Sequence, residues 1–239
     1  MIFGALTLIA KFAVYSFAGW LLEVHYRSWT QHCFVNPGLL RGPYLPIYGF
    51  GGLLTALATR ALAPYSPLLL FVVLGLVLSV LEYMTGWCLE RVLGLRLWDY
   101  RGSRLHLHGR VSLSFSVAWA ALATVFGLFG EPWVTAHVEA LDPLLLASLV
   151  GVFCGLVLFD GWSSAKSVLE LSHLVRVLDA YAHLPLELEA RLQRFVRLFR
   201  AFPDLQSLVE AKAQTRERLI RIMETGRRVV TESMNRLRK

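Results

Sequence analysis

The chain has 239 residues, of which 56% are hydrophobic and only 17% charged, and its mean hydropathy is +0.53. A soluble domain averages about a quarter charged residues, so the composition argues against a soluble globular protein and for one whose solvent is lipid. The net charge is +7 and 15 of the 24 Lys and Arg lie between Lys166 and Lys239, but the interleaved Glu210, Glu217, Glu224 and Glu232 make a solvated helix pattern, so no nucleic-acid partner is expected.

A spanning helix needs roughly 20 mostly apolar residues. Five stretches qualify, at about 3–24, 46–63, 66–90, 112–131 and 143–163. The first lacks a basic region before it and a small-x-small site near Trp20, Leu21 and Leu22, so it reads as a retained helix and not a leader. Lys11 near its outer end is expected to snorkel. The second is the weakest, opening on Pro46-Ile47-Tyr48-Gly49-Phe50-Gly51-Gly52, and it is either a full span or one that begins as a re-entrant segment. In the fifth, Gly151 and Gly155 form a GxxxG that would admit a second helix at close range, within the monomer or in a dimer. The fold expected is all-α: a polytopic membrane domain over 1–163 and a helical, basic, amphipathic extension over 164–239.

Arginine placement sets the orientation. The loop after the first stretch carries Arg27 and Arg41, the loop after the third carries Arg91, Arg96, Arg101, Arg104 and Arg110, and the tail carries the 15 already counted. The loop after the fourth stretch has no Lys or Arg but has Glu131, Glu139 and Asp142. Five spans with the N-terminus outside put all three basic regions in the cytoplasm. Trp29, Trp98, Trp133 and Trp162 fall near the boundaries, as interfacial tryptophans should. The tail reads as helices broken at Pro185 and Pro203. Its last piece, Asp204 to Lys239, is an amphipathic surface helix or a short coiled coil on Leu219, Met223, Gly226, Val230 and Leu237.

Polar residues at membrane depth are functional candidates. Glu82 lies about 15 residues, or roughly 22 Å, into the third stretch, where it serves either a function or a hydrogen bond between helices. The segment from Asn36 to Gly52 holds three prolines and five glycines, which forbid a regular helix through its first half. Arg41, Tyr44 and Tyr48 would then project into a polar pocket, since irregular backbone at this depth needs protein or a cavity around it. Trp98-Asp99-Tyr100 is followed by His106-Leu107-His108-Gly109-Arg110, and Asp99 and Arg110 are candidates for an ion pair. Two histidines without a third ligand do not make a metal site. Cys33, Cys88 and Cys154 are far apart, so neither a disulfide nor a zinc framework is expected. No cofactor is expected. Glu23, Asn36, Arg41, Glu82, Glu90, Asp99 and Arg110 all fall on the cytoplasmic side or in the inner leaflet in this arrangement.

Tyr15-Ser16-Phe17-Ala18-Gly19-Trp20-Leu21-Leu22-Glu23, Asn36 to Gly51, Leu81-Glu82-Tyr83-Met84-Thr85-Gly86 with Glu90, Trp98-Asp99-Tyr100 and Gly109-Arg110-Val111 come in one order and spacing over about residues 12–120. In these elements the chain resembles the putative ABC-transporter type IV family, the CmpB-like bacterial membrane proteins. It departs from the family pattern at Pro37, Leu39, Leu45 and His106, where the family usually has arginine, phenylalanine, cysteine and asparagine.

The resemblance implies a permease-like subunit of a transporter in the bacterial cytoplasmic (inner) membrane. A P-loop needs Gly-Lys-Ser/Thr, and none of Lys11, Lys166, Lys212 and Lys239 follows a glycine, so a separate ATPase subunit is expected as partner. Five helices make a thin pore, so a homo-oligomer is expected too, with membrane lipid around it. Two alternatives stay open. One is an intramembrane enzyme acting on a lipid at the inner leaflet, with Glu23, Glu82 or Asp99 in the catalytic role and Arg41 or Arg110 on a head-group anion. The other is a non-catalytic regulator or scaffold acting through the basic tail. No nucleophile motif assigns a reaction. The candidate polar cluster is Glu23, Asn36, Arg41, Tyr44, Tyr48, Glu82, Glu90, Trp98, Asp99, Tyr100 and Arg110.

Overall fold

A computed structural model of the chain describes residues 2–94, 96–180 and 195–203. The described residues are mostly helical with almost no strand, as the long apolar stretches led one to expect. The elements are α1 (Ile2–Gln31), α2 (Pro46–Ala61), α3 (Pro67–Leu93), a small hairpin of β1 (His106–Leu107) and β2 (Val111–Ser112), α4 (Leu113–Val125), a π-helical turn (Phe126–Gly130), α5 (Glu131–Glu139), α6 (Pro143–Ala180) and α7 (Val196–Ala201). Among the described residues, four helices are long and apolar enough to cross a bilayer: α1, α3, the continuous rod from α4 to α5, and α6. The chain is therefore a multi-pass membrane protein.

The fifth expected span, α2, has 16 residues. At 1.5 Å per residue it reaches about 24 Å, short of the roughly 30 Å hydrocarbon core. The irregular residues before it lie inside the bundle. Leu45 N–H donates to the carbonyl of Ser16, halfway along α1, at 3.0 Å, so segment 36–45 dips into the bundle and α2 starts at mid-depth. Pro46 at the first helical position suits this start, because its missing N–H would have had no helical partner. From there α2 runs antiparallel to α1, Tyr48 lying against Gly19, Gly49 against Ser16 and Gly52 against Tyr15.

The remaining contacts fix an up-and-down order. Leu70 and Leu74 of α3 pack with Ala123 of α4, flanked by Ala58 and Leu62 at the end of α2. Ser79 Oγ donates to Ser116 Oγ at 2.7 Å. Tyr15 clusters with Val134, Val138, Leu146 and Val150, joining α1 to α5 and α6. The five helical segments reverse direction four times, which leaves residue 2 and the α6 C-terminus at opposite ends of the bundle.

Two expectations change. Glu131 does not start a loop: α4 continues through the π-helical turn into α5, and Glu131 lies inside that rod. Pro132 would clash with a regular turn before it, and the wider π turn accommodates the ring, with Gly127 resting against Thr55 and Thr59 of α2. Lys11 does not snorkel. It forms a partly buried ion pair with Glu131, and its Nζ also donates to Thr135 Oγ1 at 2.7 Å. Carboxylate and ammonium at that depth satisfy each other instead of reaching for water.

Helix α6 passes through residue 163 unbroken and runs on to Ala180. Beyond it, Phe195, Leu198, Ala201 and Phe202 fold back and pack with Leu93, Leu97, Val168 and Leu171. Arg197 donates to the carbonyls of Leu39 and Leu40, at 2.6 and 2.8 Å, and of Gly38 at 3.3 Å. The break expected at Pro185 and the last expected helix, Asp204 to Lys239, lie outside the described residues.

Candidate functional site

The eleven polar candidates fall into three groups. The first surrounds a cavity of about 590 Å³ between α1, α2, α3 and α4, closed at one end by segment 37–40 and Phe202. Glu23, Tyr48, Glu82 and Trp98 line it. Helix α1 presents Glu23 one turn before Arg27, and Arg27 Nε donates to Glu23 Oε1 at 2.7 Å. Tyr48, at the start of α2, donates its hydroxyl to Glu23 Oε2 at 2.7 Å and sets its ring edge-on to Trp119 at 5.6 Å. The carboxylate of Glu23 is thus engaged at both oxygens. Glu82 projects from α3 and accepts the Tyr100 hydroxyl at Oε1, 3.0 Å away. Tyr100 stacks on Phe115 at 5.0 Å, and burial together with the neighbouring Glu82 raises its phenol pKa well above the ordinary value, so the hydroxyl keeps its proton for that bond.

The second group anchors segment 36–45. Asn36 bridges locally, its Oδ1 accepting from Trp20 Nε1 at 2.7 Å and its Nδ2 donating to the Arg41 carbonyl at 2.8 Å. Tyr44 and the Arg41 backbone converge on Asp160 of α6, a residue the sequence reading passed over. Asp160 accepts from Arg41 N–H at 2.9 Å, Gly42 N–H at 2.8 Å, the Tyr44 hydroxyl at 2.9 Å and Ser164 Oγ at 3.0 Å. Its signal was present: an acid inside an otherwise apolar stretch, like Glu82. The Arg41 guanidinium points elsewhere, to Ser167 Oγ at 3.0 Å.

The third group fastens the loop between α3 and α4. Arg110 pairs with Glu90, Nη2 to Oε2 at 2.7 Å, and lies over the Tyr83 ring at 5.3 Å. The hydrogen bond that Arg110 donates to Glu90 raises the Arg110 pKa further above its already high value. Asp99 does not take the expected role of partner to Arg110; it pairs with Arg96 and Arg101. The loop's turn faces Asp99 toward those arginines while Trp98 Nε1 donates to the Arg110 carbonyl at 3.0 Å. His106 Nδ1 accepts from Gly109 N–H, and His108 stands against Tyr83. Among the described residues no three His, Cys, Asp or Glu come together as a metal set.

The cavity wall is mainly Leu, Ala, Gly, Pro and aromatic residues. Thr55 and Thr85 also line it, and their hydroxyls donate to helix carbonyls at 2.8 and 2.7 Å. Among the described residues that line the cavity, none is Ser, Cys, His or Lys. The wall is thus mostly apolar, with the carboxylates of Glu23 and Glu82 on it.

No curated protein and no solved structure matches the chain. A family model described as putative ABC-transporter type IV matches residues 10–165, which take in all three groups of polar residues and the helices that carry them. The chain belongs to the putative ABC-transporter type IV family.

Proposed function

We propose that this protein is the permease-like membrane subunit of a transporter in the bacterial cytoplasmic membrane, driven by an ATPase carried on a separate chain. The observation that carries the reading is the cavity of about 590 Å³ inside the bundle. Its volume lies in the range of small-molecule sites, roughly 300–1,000 Å³, and its wall is apolar, so the cargo is a hydrophobic or amphipathic molecule. The basic loop between α3 and α4, with Arg101 largely exposed, faces the cytoplasm in this reading and offers a docking surface for the ATPase. The lipid-enzyme alternative has weaker support, because Arg41 and Arg110, the groups that would hold a head-group anion, are engaged away from the cavity wall.

The test is purification of the tagged full chain in mild detergent, with mass spectrometry of what accompanies it. An ATPase in stoichiometric amount, diminished by Arg101→Glu with Arg104→Glu, is the expected result. A chain that purifies alone from cells in which every ATPase is intact, and that shows no ATP-dependent activity in vesicles, overturns the transporter reading.

A further inference from the structure

The charge of the cavity is unequal. Glu23, Arg27 and Glu82 line it. Glu23 and Arg27 neutralise one another. Glu82, only 9% exposed, has no cationic partner in the cavity: Oε1 takes the Tyr100 hydroxyl, and Oε2 is buried without a hydrogen-bond partner among the described residues. A buried carboxylate oxygen left in that state is costly, and a donor placed on it recovers that cost. Tyr100 cannot supply a second donor, since its single O–H is already used. Anion-binding groups are correspondingly scarce. Arg27 is engaged with Glu23 and the Ala201 carbonyl, and Arg41 and Arg110 do not line the cavity.

We propose that the cavity binds an amphipathic amine, its ammonium N–H seated on Glu82 Oε2 and its hydrocarbon body lying along the leucine-rich wall toward Ala123 and Phe126. This rests on the cavity being the cargo site, as above, and names the class of cargo. An N–H cation answers both deficits at once, the missing donor and the missing positive charge. A phosphate or carboxylate head would add a second negative charge beside Glu82 and leave Oε2 unpaired. The hydroxyl of Tyr15, also buried and unpartnered on the wall, donates and accepts equally well, so the discrimination falls to Glu82.

Trp98 and Trp119 line the same cavity and report its occupancy. The probes are 11-bromoundecylamine and 11-bromoundecanoic acid, whose bromine quenches tryptophan fluorescence, titrated against the full chain in lipid nanodiscs. The amine is expected to quench a saturable fraction at a concentration at least about tenfold below that of the acid, the discrimination of a charge-assisted hydrogen bond. Glu82→Gln should remove the preference, and Glu82→Asp should keep part of it. Equal half-saturation for the two wild-type titrations overturns the proposal, as a proton or a water on Oε2 would produce; so does a Glu82→Gln protein that still prefers the amine. The wild-type pair decides the matter even where Glu82→Gln does not fold. A preferred amine with no accompanying ATPase leaves the site standing and removes the transport reading; an accompanying ATPase with no preference does the reverse.

Discussion

Asp160 holds more of this structure than any one side chain the sequence singled out. Two backbone N–H groups and two hydroxyls donate to its carboxylate, and nothing else in the described contacts of Arg41 N–H or Gly42 N–H replaces it. Asp160→Ala strands those donors in an apolar setting at about 1–3 kcal/mol each, so the thermal midpoint in detergent should fall by several degrees. Asp160→Asn keeps one acceptor oxygen and should fall less. Equal midpoints for wild type and Asp160→Ala would show that segment 36–45 is held by something other than this carboxylate. Legibility at this scale was uneven. Glu82 stood out because it interrupts a long apolar run. Asp160 has the same kind of setting, yet it lies near the end of the stretch drawn to residue 163, where a boundary acid looks ordinary. The pairing of Lys11 with Glu131 is not legible in the sequence, because 120 residues separate them and Glu131 falls where the apolar stretch ends. Asp99 and Arg110 were joined wrongly, since partner choice among Arg96, Arg101 and Arg110 depends on the turn between them and not on spacing.

The seam between α1 and α2 shows what the glycine-rich opening of α2 is for. A methyl group at Gly19 would sit 2.1 Å from the Tyr48 ring, one at Gly49 would sit 2.3 Å from Ser16 Oγ, and one at Gly52 would sit 2.4 Å from the Tyr15 ring. These helices approach too closely for any side chain there. Gly151 and Gly155 differ: among the described residues, a methyl group at either meets nothing within 4 Å. Gly49→Ala and Gly52→Ala are expected to destabilise the protein by about 1–3 kcal/mol through overpacking, whereas Gly151→Ala and Gly155→Ala should leave the monomer's thermal midpoint unchanged or slightly raised. A flat result across all four positions would contradict the α1–α2 seam. The helices themselves were legible from apolar runs, because length and hydropathy decide whether a segment can cross lipid. Their ends were not: α1 continues to Gln31 and α6 to Ala180, past the points where polar residues begin, since a helix outside the hydrocarbon needs only packing and propensity to persist.

Across the whole molecule the alternation of chain direction gives a test of orientation. Cys33 is exposed just after α1, at the end of the bundle that also holds the loop between α3 and α4 and residues 195–203. With the N-terminus outside, a membrane-impermeant maleimide should modify Cys33 in inverted vesicles and spare it in intact cells, while Asp142→Cys in a Cys33→Ser background should show the opposite pattern. Labelling of Cys33 from outside would invert the arrangement and move the proposed ATPase surface with it. The short second helix is tested at the same time: if it does not complete a crossing together with segment 36–45, the two cysteines report the same side.

Arg197 grips segment 37–40 by three successive carbonyls, those of Gly38, Leu39 and Leu40. A guanidinium that holds main chain is indifferent to spelling. The letter at 40 is free to change with the cavity it borders, while the clasp on the main chain is unaffected; Leu39 is less free, since its side chain packs against the cluster that holds Phe202. The lining that position 40 gives the cavity and the hold on the main chain can therefore change independently of one another, on two edges of the same four-residue strip.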